Sequence, residues 1–191
     1  MLNQLDVIKN ASILIEEKKY TEAKEILNNF IKINKTIRID IKFYYTLYLV
    51  SERLREFQSA KKYLEKCFKI NPNNHIVLNN LGNLFFKEGN IEKAEKLYLQ
   101  SLNLKNNYLI VIINLAILYQ NVGNFENSKK YYLKAIELSP EKFSIYYNLS
   151  RFDKDFLSQD KILFIENIIR KKKISLLEMS YGFFLLAEYE K

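Results

Sequence analysis

Asn80, Asn114 and Asn148 stand 34 residues apart along the chain. A carboxamide both donates and accepts hydrogen bonds, so such residues repeated on one face can pair with the backbone of an extended peptide whatever its side chains. Each bond of this kind contributes only roughly 0.5–1.5 kcal/mol net, so selectivity has to come from apolar positions between the amides. The same amides can equally bond to a neighbouring segment of their own chain, and the residues alone leave both uses open. Other chemistry finds little material. His75 is the one histidine and Cys67 the one cysteine, so these ligands offer no zinc site, no cofactor is expected, and no internal disulfide can form. There is no glycine-rich phosphate loop, and a Ser/His/Asp arrangement would have to recruit His75 with no partner in view. A chain that is not an enzyme is expected, with Cys67 an inert core residue.

The elements that carry the amides repeat with them. Leu47, Leu81, Leu115 and Leu149 fall in a register of 34, with Tyr44, Leu78, Ile112 and Tyr146 three residues before them. The next positions, Tyr48, Gly82, Ala116 and Ser150, are small in three of four copies. In the second half of the unit Ala60, Ala94 and Ser128 align, as do Leu64, Tyr98 and Tyr132, and then Cys67, Ser101 and Ala135. Pro72, Asn106 and Pro140 close the unit. Small residues suit places where two helices approach closely, and large ones fill the space between successive units. Gly89 and Gly123 suit helix ends, Asn90 and Asn124 suit the caps of the helices that follow, and Ser139-Pro140 suits a cap followed by a first helical residue. Four glycines and two prolines in 191 residues leave little material for β-turns.

This order of large, small and proline positions resembles the tetratricopeptide repeat, a unit of two antiparallel helices, A and B. The resemblance implies an all-α fold, a right-handed superhelical solenoid of antiparallel helix pairs. It places repeats at about 4–36, 41–74, 75–108 and 109–142, with roughly three extra residues after the first, so that 1–142 forms the array. Residues 143–191 read as a degenerate repeat followed by capping or junction helices over about 160–172 and 175–190, with Asp153 and Ile162 breaking the pattern. In such a solenoid the A helices line a concave groove. The positions facing it here include Tyr45, Asn79, Asn80, Asn83, Ile113, Asn114, Ile117, Tyr147, Asn148 and Arg151, with Lys42, Thr46, Ile76 and Gln120 on the same stripe. Co-chaperones of the family grip a C-terminal carboxylate with Lys and Arg on A helices. The matching places here hold Asn79, Asn83, Asn114, Ser144 and Asn148, so a chaperone C-terminus is not the expected ligand.

The expected function is a scaffold that binds an extended peptide or partner segment in the groove. The last fifty residues suggest an alternative. They resemble the segment that joins repeats to the enzyme in bacterial tetratricopeptide-repeat sulfotransferases, on Asn148–Ser150, the 160–169 helix, Ile174-Ser175 and 183–191. This would make the chain the substrate-presenting arm of a longer enzyme. The last helix is apolar nearly all round, which implies cover by a homodimer contact, a partner or a further domain. The net charge of +8 comes from lysines scattered among Asn and Ile, a compositional habit rather than a nucleic-acid footprint, so no nucleic-acid partner is expected. The basic run 170–173 complements a helix end. The first twenty residues lack a signal-peptide pattern, and the most apolar segment, 108–119, is too short to span a bilayer. A cytoplasmic protein is expected, with no membrane contact.

Overall fold

The computed structural model describes residues 3–171 and 174–190, and among these every regular element is helical. Helices α1 (Gln4–Glu16), α2 (Tyr20–Ile33), α3 (Ile41–Arg53), α4 (Phe57–Ile70), α5 (His75–Lys87) and α6 (Ile91–Leu104) form one compact unit, which ends at Leu104. Helices α7 (Leu109–Asn121), α8 (Phe125–Leu138), α9 (Phe143–Ser150), α10 (Gln159–Arg170) and α11 (Leu176–Tyr189) form a second, which begins at Lys105. Helices α3, α5, α7 and α9 start 34 residues apart, at Ile41, His75, Leu109 and Phe143, whereas α1 starts 37 before α3. The three extra residues therefore lie where the sequence places them.

Side chains set the helix starts. Asn3 and Asp6 form a reciprocal capping box on α1, Asp40 Oδ1 accepts from Phe43 N on α3 at 2.8 Å, and Asn74 Oδ1 accepts from Ile76 N and Val77 N on α5. Asn90 and Asn124 cap as expected, accepting from Lys93 N and Asn127 N at 3.2 Å each. Between helices A and B of four successive pairs the chain turns through one residue of positive φ: Lys18 (61°), Arg55 (59°), Gly89 (77°) and Gly123 (76°). Glycine takes that conformation at little steric cost, and lysine and arginine do not. Ser139-Pro140 departs from expectation. Ser139 ends α8, donating its N–H to Ala135 O, and α9 begins only at Phe143. Because α8 runs on to Leu138, Pro140 falls in the connection that reverses the chain direction.

In the first unit Ala11, Ala23, Leu27, Phe43 and Leu47 are fully buried in one cluster, and Ala60, Leu64 and Cys67 lie in the next with Val77, Leu81 and Leu84. Each buried leucine contributes roughly 2 kcal/mol. The small positions of helix B have a second use. Cys67 Sγ donates to Ile41 O at 3.6 Å and Ser101 Oγ to His75 O at 2.7 Å, so each reaches the first carbonyl of its own helix A. In the second unit Val111, Ile112, Leu115 and Ala116 of α7 pack with Ser128, Tyr132 and Ala135 of α8 in the buried interior.

The end of the second unit changes pattern. Helix α9 stops after eight residues, a short 3-10 turn follows at Lys154–Phe156, and α10 begins at Gln159. The 160–172 helix expected from sequence is α10, which ends at Arg170, and Lys172 and Lys173 lie outside the described residues. Helix α11 packs against both α9 and α10. Glu178 of α11 accepts from Ser144 N at 2.8 Å and from Ser144 Oγ at 3.0 Å, with Lys142 Nζ at 3.6 Å, and so caps α9 from outside.

Candidate peptide-binding faces

In the first unit the expected groove residues form a connected chain of polar contacts. Asn79 Nδ2 donates to Asn80 Oδ1 at 3.2 Å, and Asn80 Nδ2 donates to Tyr45 Oη at 3.1 Å. The Tyr45 ring in turn leans on Tyr48 with centroids 5.4 Å apart. Asn79 is only 3% exposed, so its part is to hold Asn80, which is half-buried, as is Tyr45. Asn83 Oδ1 accepts from Tyr98 Oη of helix α6 at 2.7 Å. Thr46 is buried, and its hydroxyl donates back to Lys42 O.

The second unit repeats this pairing with a shift. Tyr132 stands 34 residues after Tyr98, but its hydroxyl donates to Gln120, at 2.8 Å, rather than to the residue 34 after Asn83, which is Ile117. The acceptor has moved one helical turn along α7, to a carboxamide with a longer reach. This tyrosine-to-carboxamide bond escaped the sequence reading, although the 34-residue spacing of Tyr98 and Tyr132, each with an amide on the helix before it, carried part of the signal. Ile113, Asn114 and Asn148 are half-buried, while Ile117 and Arg151 are exposed. The Tyr147 ring is flanked by α11, 5.3 Å from Tyr181 and 5.0 Å from Phe184, the latter edge-on.

Electrostatics separate core from surface. Burial pushes the Tyr98 phenol above its ordinary range and the Tyr132 phenol up to about 12, Arg151 pulling the latter back a little. Tyr48 and Tyr146 are raised, first by burial and then by Glu52 and Glu141 respectively. Burial also pushes the Cys67 thiol up to about 12, which keeps it protonated and matches the inert core role expected of it. Among the described residues no group of three His, Cys, Asp or Glu side chains is placed to hold a metal ion, and no helix is long and apolar enough to cross a membrane.

Paired antiparallel helices, repeated at a fixed period with amides and tyrosines on the A helices, define a helical repeat architecture. Residues 41–74 and 111–142 match one form of the tetratricopeptide repeat and residues 63–96 match another. A search of curated proteins found no match. Among solved structures it is similar to MamA of Desulfovibrio magneticus, with a TM-score of 0.72 and 16% identity over 92% of this chain and 99% of that one. A tetratricopeptide repeat protein of Parabacteroides merdae gives 0.70 and 14%, over 98% and 75%. The pilF protein of Pseudomonas aeruginosa gives 0.64 and 18%, over 98% and 92%. At these identities the likeness is one of fold.

Proposed function

We propose that the chain is a non-catalytic scaffold that binds an extended segment of a partner protein along its A-helix faces. What supports this is the character of those faces. Helices α5, α7 and α9 contain no Asp or Glu, α3 carries one, Glu52, in its last turn, and the other acids of these repeats sit mainly on helix B and in the turns. These A helices thus offer amides, tyrosines and apolar side chains with few acids among them. Asn80 with Tyr45 serves in the first unit, and Asn114, Asn148, Ile117 and Arg151 in the second. The test is to select peptides on the full chain and then replace Asn80, Asn114 and Asn148 by Ala together. Binding should weaken about tenfold, and unchanged affinity would sink the amide role.

A second reading concerns α11, whose Leu176, Leu177 and Phe183 are 82%, 63% and 55% exposed. That apolar face favours a second contact there, with another copy of the chain or with a further domain such as the enzyme of the sulfotransferase resemblance. Sedimentation of the chain with Leu177→Glu and Phe183→Glu tests the copy: a dimer should become a monomer, and a wild-type monomer at high concentration would remove it.

A further inference from the structure

We propose that a hollow between the first turns of α3 and α5 seats one large apolar side chain of the bound peptide, with an Asp or Glu next to it in the peptide. This rests on the reading of the A-helix faces given above. The hollow measures about 210 Å³, below the roughly 300 Å³ at which small-molecule pockets begin, and so is scaled to a side chain. It is lined by the A helices and by the cap of one of them, with no residue of a B helix. Its apolar wall comes from Ile41, Ile76, Val77 and Tyr45.

The polar groups at this hollow are what choose the neighbour. Asn74 Oδ1 already accepts from Ile76 N at 3.0 Å and from Val77 N at 3.2 Å. Both of its lone pairs are engaged, so the amide has only its N–H groups left to offer. Lys42 lines the same hollow, is exposed, and makes no ion pair among the described residues. An ammonium donates and never accepts. No carboxylate lines the hollow. An apolar seat beside an unpaired cation and a donor-only amide fits an apolar residue flanked by a carboxylate, and it disfavours one flanked by Lys or Arg. A larger hollow of about 310 Å³ in the first hairpin, lined by Val7, Ile26 and Phe30 among others, has no charged lining residue and so no comparable preference.

The full chain is panned against a random peptide library, and the most enriched sequence is synthesised with a fluorophore for anisotropy. The enriched sequences should share a large apolar residue next to Asp or Glu. Ile76→Trp, at a position 38% exposed and able to fill the hollow, should weaken binding about tenfold. Lys42→Glu, at an exposed site where folding is not at risk, should weaken it about fivefold. A peptide with Lys in place of its acid should regain affinity for the Lys42→Glu chain. Peptides without this pairing, or binding indifferent to both variants yet weakened by the triple asparagine variant, would overturn the hollow while leaving the groove standing. No enrichment, or binding indifferent to all these variants, would remove both.

Discussion

The hairpin α5–α6 and the terminal helices α9–α11 use the same device in opposite directions. A Cβ added at Gly82 would lie 2.5 Å from the ring of Tyr98, on the B helix that follows it. A Cβ at Gly182 would lie 2.7 Å from Ile169 Cδ1 and 2.9 Å from the ring of Phe143, both on helices that precede it. In each case a glycine lets a helix backbone approach an aromatic ring. The hairpin folds forward onto its own partner, whereas α11 packs backward and takes the place of a next A helix against α9 and α10. A repeat period records the first relation and is blind to the second.

Base should strain α3, α6, α8 and α9 more than α10 and α11. The phenols of Tyr48, Tyr98, Tyr132 and Tyr146 are raised from an ordinary 10, Tyr132 and Tyr146 to about 12, and none of the four lies on α10 or α11. Above pH 10 the unfolded chain ionises these groups while the folded chain holds them neutral, so stability present below pH 10 is lost as pH rises through 12. The urea midpoint should therefore fall steeply between pH 10 and pH 12, the interval between the ordinary phenol pKa and the raised one. Tyr98→Phe should make that fall shallower, and an unchanged slope would mean that this phenol is not held neutral.

The two glycines should then separate in cost. Gly82→Ala forces the Tyr98 ring to move and should lower stability by about 3 kcal/mol, partly restored by Tyr98→Leu. Gly182→Ala meets the flexible tip of Ile169 first and should lose about 1.5 kcal/mol. Equal losses in urea unfolding would erase the contrast. Glu178→Gln probes the backward packing directly. It weakens charge-assisted bonds to Ser144 in a side chain only 13% exposed, and should cost about 1.5 kcal/mol. Faster hydrogen exchange at the Ser144 amide is the accompanying sign.

The smallest effects lie in the turns. Gly89→Ala and Gly123→Ala meet no atom within 4 Å, so any loss comes from the backbone at positive φ and should be about 1 kcal/mol. Arg55→Gly should instead raise stability by about 0.5 kcal/mol, since it relieves the same strain at the equivalent place. Thermal melts of the three variants would show both signs, and a loss on Arg55→Gly would mean that its side chain contributes more than its backbone costs.

Much of this was readable in advance. The period, the asparagine caps, the three extra residues after the first repeat and the buried places of Cys67, Leu81 and Tyr98 all follow from residue type and spacing. The turn geometry at Lys18 and Arg55 was not readable, because neither residue advertises a left-handed conformation. Among the site residues, Asn79 and Asn80 sit side by side in sequence, yet one is buried as a support and the other is half-buried against Tyr45.

Residue type and period together dictate helix pairs of a set length, because apolar faces at helical spacing must be buried and small residues must mark close approach. They do not dictate which hydroxyl reaches which amide, that Glu178 caps α9, or that Lys42 and Asn74 border one hollow. Those pairings join residues about 12 to 35 positions apart, through rotamers and contacts that exist only once the helices are packed.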